Sequence, residues 1–313
     1  MAERIAFLFP GQGSQVVGMG LDLALQMEQA RELFDLLDEI CLKPLSRLCF
    51  QGPMEELTLT VNLQPAVTAV NLACLRALNR SQVRPTVCAG HSVGECAALV
   101  SAGVLSERDA LLLAKKRGEL MHREAILNPG SMAAVMGLRK EEVEEVVRLA
   151  AEEGVIGIAN YNTAQQIVIT GQQESLRLAM DLIKQKGGKA IPLNVSGAWH
   201  SPLMRDGVKD FRDFMEEISF SEPRVPMLFN AEAEAETDPG RIKEVMAQQL
   251  TRPVRWNEIM LRMLDQGVDA FVEVGPKNVL IGLLKKTLPR ESNVALFNVG
   301  DMKGLKSLLD ALS

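Results

Sequence analysis

Short runs of apolar residues alternate along this chain with longer segments in which apolar positions recur every three or four residues. The short runs predict strands at 5–9, 86–89, 131–136, 155–159, 167–170, 190–195, 227–229, 270–274 and 295–298. Helical periodicity predicts helices over 66–78, 107–125, 140–152, 174–186 and 256–265. Such alternation points to an α/β protein with a largely parallel sheet, since each parallel crossover needs a helix to bring the chain back. One region departs from the alternation. From residue 130 to 196 the order is strand, helix, strand, strand, helix, strand, between Asn128-Pro129-Gly130 and Ser196-Gly197. That is the split βαβ order of a ferredoxin-like unit. The expected organisation is an α/β core of residues 1–129 and 197–313 with 130–196 inserted; the alternative is that these strands extend the main sheet.

With 313 residues, 47% of them hydrophobic, the chain can bury a sizeable core. No stretch approaches the roughly 20 apolar residues of a membrane span, so no membrane partner is expected. The opening Met1-Ala2-Glu3-Arg4 and its short apolar run are too brief for a secretory leader and include an acid. A net charge of −6 gives a nucleic-acid partner no electrostatic support. The five cysteines (Cys41, Cys49, Cys74, Cys88, Cys96) are odd in number and lack metal-type spacing, which points to reduced thiols in a cytoplasmic setting. Three dispersed histidines argue against a zinc site, and no metal is expected.

The candidate chemistry starts at Gly90-His91-Ser92-Val93-Gly94, which follows an apolar run and opens a helical stretch. In a G-x-S-x-G elbow the glycines allow a sharp strand-to-helix turn that exposes the serine hydroxyl. Amides at the helix start can face a developing anion. The pattern alone is weak, and a tight turn with an incidental serine is the competing reading. A serine nucleophile needs a base. His91 adjoins Ser92, but its side chain should point elsewhere, and His122 lies among polar neighbours on a helix. His200 ends the loop Asn194-Val195-Ser196-Gly197-Ala198-Trp199 beyond a strand, where α/β folds place functional groups. A hydrogen-bonded loop histidine explains it equally well.

A longer set of motifs changes the weighting. These are Phe9-Pro10-Gly11-Gln12-Gly13-Ser14-Gln15, Gln64-Pro65-Ala66, Gly90-His91-Ser92-Val93-Gly94-Glu95 and Arg117-Gly118-Glu119-Leu120-Met121. Further along come Gly130-Ser131-Met132-Ala133-Ala134-Val135, Ala198-Trp199-His200-Ser201-Pro202-Leu203-Met204, Gln249-Leu250-Thr251-Arg252-Pro253-Val254 and Glu273-Val274-Gly275-Pro276. In this order they resemble the malonyl-CoA:acyl carrier protein transacylases and the acyltransferase domains of fatty acid and polyketide synthesis. The resemblance runs nearly end to end. The fold class expected is a large α/β-hydrolase-like core with a largely parallel sheet plus an inserted ferredoxin-like subdomain.

The resemblance implies a role for each matching position. Ser92 is the acylated nucleophile and His200 the base, oriented by the main-chain carbonyl of Gln249. The backbone N–H groups of Gln12 and Val93 form the oxyanion hole, Arg117 pairs with the malonyl carboxylate, and Gln64 supports the pocket. A planar guanidinium suits a carboxylate because it donates two parallel charge-assisted hydrogen bonds. From pattern alone, however, Arg117 would join Lys115 and Lys116 on a solvated face. Implied substrates are malonyl-CoA and a phosphopantetheinyl acyl carrier protein, with no cofactor, and a monomer is expected. Two positions depart from the family's habit: Trp199 stands where malonyl-selective relatives usually have Phe, and Asn162-Thr163-Ala164-Gln165-Gln166 replaces a commoner Asn-Ser-Pro-Gly-Gln turn. Rival readings are an acyl hydrolase acting on carrier proteins, a malonate decarboxylase subunit and a non-catalytic carrier-binding module. The last of these would be expected to lack Ser92 or His200.

Overall fold

The computed structural model describes residues 3–289 and 291–312. Two sheets organise it. The first is built from β1 (Ile5–Phe9), β2 (Val87–Gly90), β7 (Met227–Leu228), β8 (Ala270–Val274) and β9 (Ala295–Val299), in the order β7-β2-β1-β8-β9. Every neighbouring pair in it is parallel. Both faces are covered, which is why β1 and β2 read as unbroken apolar runs rather than alternating ones. β8 is interrupted only by Glu273, whose buried carboxylate accepts from the Leu280 and Ile281 N–H groups. One face carries Phe7, Phe9, Cys88 and Val272, and the other Ala6, Leu8, Ala89 and Phe271.

The second sheet comes from the stretch with the anomalous element order. Its strands are β3 (Ser131–Met136), β4 (Ile156–Thr163), β5 (Gln166–Gly171) and β6 (Lys189–Pro192), ordered β4-β5-β3-β6 and antiparallel throughout. Two amphipathic helices, Lys140–Ala150 and Gln173–Gln185, connect the strands and bury Val143, Val146, Leu176 and Ile183 against Val135, Ile167 and Ile169. The smaller sheet is tied to the rest of the chain at Val254, outside any strand, whose N–H donates to Ala159 at 2.8 Å and whose carbonyl accepts from Tyr161 at 2.9 Å.

Boundaries shift where tertiary partners intervene. The 155–159 run extends to Thr163, since β4 keeps pairing with β5 through two register shifts as far as Thr163 opposite Gln166. The 190–195 run yields a strand only over Lys189–Pro192, the part that pairs with β3. The 66–78 helix spans Thr60–Arg80 and passes through Pro65. A proline inside a helix removes one backbone donor and crowds the preceding turn. Burial of nearly the whole helix outweighs that cost: most of its residues from Thr60 to Leu78 are buried.

Candidate active site

The nucleophile elbow is built by close packing of backbone on backbone. β2 ends at Gly90, a 3-10 turn spans Ser92–Gly94, and the helix Glu95–Ser101 follows. A Cβ on Gly90 would lie 2.0 Å from the carbonyl carbon of Gly94, and one on Gly94 would lie 2.1 Å from the carbonyl oxygen of Phe9. Both neighbours are backbone atoms, one in β1 and one in the turn itself, so both positions need glycine. The turn sets Ser92 at φ 54°, a conformation L-residues avoid at a cost of about 1–2 kcal/mol. Asn230, just beyond β7 at the same sheet edge, holds it there. Its Oδ1 accepts from the Ser92 N–H at 2.7 Å, and its Nδ2 donates to the Gly90 carbonyl at 2.6 Å.

His200 also has a positive φ, 55°, and is 4% exposed. Its Nδ1 lies 2.9 Å from the main-chain oxygen of Gln249, and its Nε2 lies 2.8 Å from Ser92 Oγ. A carbonyl can only accept, so Nδ1 carries the proton and Nε2 is the bare lone pair facing the serine hydroxyl. Burial, with the Arg117 charge nearby, pushes the His200 pKa down to about 3, so the ring is neutral and ready to take a proton.

Arg117 is 1% exposed, whereas its sequence neighbours Lys115 and Lys116 are only half-buried. Gly118 explains this. A Cβ there would sit 2.9 Å from the Thr60 carbonyl, so the helices Thr60–Arg80 and Glu107–Leu127 cross closely at that point. The crossing brings Gln64 under Arg117. Its Nη1 donates to Gln64 Oε1 at 2.7 Å, while Nη2 donates to Gln249 Oε1 at 2.6 Å and to Ser92 Oγ at 3.1 Å. Among the described residues no carboxylate lies within ion-pair distance, and Nε has no acceptor. Burial lowers its pKa to about 10, so the guanidinium stays charged at neutral pH.

A cavity of about 420 Å³ opens over these groups, lined among others by Gln12, Gln64, Ser92, Val93, Arg117 and His200. Trp199 also lines it, its ring lying over Gly197, where a Cβ would come within 2.5 Å of ring atoms. The turn departing from the family's habit is not remote from the site. Asn162 and Gln166 line the cavity, and Asn162 Oδ1 pairs with His91 Nε2 at 3.0 Å. His91 stacks edge-on against Trp256 at 5.2 Å and does not bond Ser92. His122 is half-buried on its helix and does not line the cavity.

Comparison with known proteins fits this arrangement. Residues 6–305 match the acyl transferase domain family. The chain is 42% identical over 296 residues to the malonyl CoA-acyl carrier protein transacylase of Bacillus subtilis (strain 168), covering 94% of this chain and 93% of that one. The chain belongs to the malonyl-CoA:acyl carrier protein transacylase family. Among solved structures, an acyl carrier protein S-malonyltransferase from Vibrio cholerae superimposes with a TM-score of 0.92 at 36% identity, covering 98% of this chain and all of that one. A malonyl-transacylase solved with its type II polyketide synthase acyl-carrier protein gives 0.94 at 33% identity, covering 99% and 100%.

Two residues that hold this transacylase site together carry no role in the sequence reading, although Glu95 closes its elbow motif. Asn230 fixes the elbow, and Glu95 accepts from the Asn230 backbone N–H at 2.6 Å and from Gln249 Nε2. Glu95 had a signal: it is the sole acid of an otherwise apolar helical stretch, ECAALVS. Asn230 had none beyond lying next to a strand end.

Proposed function

We propose that this chain moves a malonyl group from malonyl-CoA to the phosphopantetheine thiol of an acyl carrier protein, through an ester on Ser92, for fatty acid or polyketide synthesis. The carrying observation is a buried, charged Arg117 that has no carboxylate partner among the described residues and lies 3.1 Å from the Ser92 hydroxyl. An unpaired buried cation is costly, and a substrate bearing a carboxylate beyond its thioester would complete the pair. A hydrolase for uncharged acyl groups would gain nothing from that guanidinium.

The mechanism follows from the proton positions. Ser92 Oγ attacks the thioester carbonyl while His200 Nε2 takes its proton. The Gln249 carbonyl holds Nδ1–H and keeps the ring in that tautomer. The Ser92 N–H is already engaged by Asn230, so the oxyanion falls to the Gln12 and Val93 amides, whose residues both line the cavity. Each such donor is worth about 10²–10³ in rate. His200 returns the proton to the departing coenzyme A thiolate. The carrier's thiol then attacks the ester, with the roles reversed. Ser92 and His200 supply the nucleophile and the proton transfer, so this sequence of steps calls on no cofactor.

The same reading takes the five-stranded sheet as an α/β-hydrolase-like core and residues 130–196 as an inserted ferredoxin-like subdomain, supported by the order β4-β5-β3-β6. Five buried, unpaired cysteines support a reducing, cytoplasmic setting, and one chain supplies every group used, as a monomer requires. Intact mass after brief exposure to malonyl-CoA tests the proposal. One malonyl mass should appear on the peptide containing Ser92 and vanish in Ser92→Ala. Arg117→Ala should reduce kcat/KM for malonyl-CoA by about 2–5 kcal/mol in activation terms and leave acetyl-CoA nearly untouched. Equal losses for both thioesters would leave Arg117 structural and remove the main support for malonyl.

A further inference from the structure

The Arg117 guanidinium is held between two glutamine side chains, and the two are anchored differently. Gln64 offers Oε1 to Arg117 Nη1, and its Nε2 turns to neutral acceptors, Thr60 Oγ1 and Met121 Sδ, each at 3.2 Å. Gln249 offers Oε1 to Arg117 Nη2, but its Nε2 donates to the carboxylate of Glu95 as well as to the Ser92 carbonyl at 3.1 Å. Glu95 is 1% exposed, and its other oxygen is taken by the Asn230 N–H. A buried carboxylate and a buried guanidinium therefore face each other across one neutral amide.

We propose that Glu95 is a positioning residue for recognition of the malonyl carboxylate, acting through the Gln249 side chain to hold Arg117 without pairing with it. This rests on the function proposed above. An amide has one accepting and one donating end. With an anion on one side and a cation on the other, Gln249 can stand only one way round, carbonyl toward Arg117 and NH2 toward Glu95. The orientation matters because it leaves a charged guanidinium whose Nε and Ser92-facing edge are free of protein anions. A direct Glu95–Arg117 pair would satisfy the buried cation and repel an incoming carboxylate. Interposing the amide keeps the long-range attraction, which is strong where water is excluded, and leaves the receptor open. Gln249 meets His200 through its main-chain oxygen, a contact that does not depend on which way round the side-chain amide stands. Burial raises the Glu95 carboxyl to about 8, against the pull of the Asn230 amide, Arg117 and Gln249, so the test belongs above that pH.

At pH 8.5–9, acylation of Ser92 by malonyl-CoA and by acetyl-CoA is followed by intact mass for the wild type, Glu95→Gln, Glu95→Asp and Asn230→Ala. Glu95→Gln must set an NH2 against either the Asn230 N–H or the Gln249 NH2, so Gln249 loses its fixed orientation. Malonyl acylation should fall about 10–100-fold, mainly through a raised KM, while acetyl acylation changes less than about threefold. Glu95→Asp retains the charge at shorter reach, and its malonyl-to-acetyl ratio should fall between those of the wild type and Glu95→Gln. Asn230→Ala removes support from the Ser92 elbow alone and should slow both thioesters alike. If the Gln variant does not fold, the Asp variant decides: a lowered ratio supports the inference and an unchanged ratio overturns it. A wild type that takes no malonyl group on Ser92 sinks the functional reading itself. A wild type that does, beside a Glu95→Gln variant slowed equally for both thioesters, sinks only the role given to Glu95.

Discussion

Three side chains at this site are each held in a state they would not adopt in water. Ser92 and His200 have positive φ, and Arg117 is buried with no ion-pair partner among the described residues. His200 gives the most direct consequence. Its pKa is depressed to about 3, so the basic form persists as pH falls through the range where an ordinary histidine protonates. With a pKa near 6.5, acylation would drop roughly tenfold between pH 7.5 and 5.5. Here it should drop less than about threefold over that interval. Acetyl-CoA is the substrate to use, because it has no carboxylate of its own to titrate. A midpoint near 6.5 would mean that His200 is hydrated rather than buried. Ser92 was visible in the sequence from its flanking glycines and the apolar run before it. His200 emerged only as one of two equal readings until the longer motif set weighed in. From its neighbours alone Arg117 reads as solvated, and only the resemblance places it at the substrate. Residue type and spacing do not record which face of a helix turns inward when lysines precede it.

At the level of elements, the elbow is the feature most dependent on a missing side chain. Gly94→Ala would drive a methyl into the Phe9 carbonyl at 2.1 Å, backbone against backbone, and should lower stability by about 1–3 kcal/mol or more. Gly282, in the helix Val279–Thr287 that also lines the cavity, has nothing within 4 Å of its would-be Cβ. Alanine there should be neutral or stabilising by up to about 1 kcal/mol, since it only improves helix propensity. Urea unfolding of both variants tests the contrast; similar losses would show that the elbow is not close-packed as described. Periodicity located Lys140–Ala150, Gln173–Gln185 and Trp256–Asp265, whose apolar positions form one buried stripe, but it did not name Glu28–Cys41 or Arg205–Glu216. It misjudged the ends of Thr60–Arg80, β4 and β6, which depend on whether a neighbouring element continues to supply contacts.

For the molecule as a whole, the cavity is lined from both sheets, and Met132, Ala134, Ala159 and Val168 of the smaller one join the main core. Met132, Val168, Leu193 and Val195 reach it from 130–196, while Ser92, Arg117 and His200 reach it from the rest. The Val135, Val143 and Ile169 cluster belongs to the smaller sheet alone. Native-state hydrogen exchange should therefore resolve two cooperative groups, with β3, β4, β5 and β6 opening together at lower free energy than β1, β2 and β8. A single shared opening energy would argue that 130–196 is not an independent insert.

The sequence by itself determined the α/β alternation, the odd element order of 130–196, the elbow serine and the family. These follow from local periodicity and from motifs carried in short contiguous stretches. Only tertiary structure decided that Arg117 is buried, that the Gln249 side chain stands between Arg117 and Glu95, and that Asn230 braces the elbow. Those contacts join residues 132 to 154 positions apart, and packing of apolar surface, rather than any local preference, brings them together.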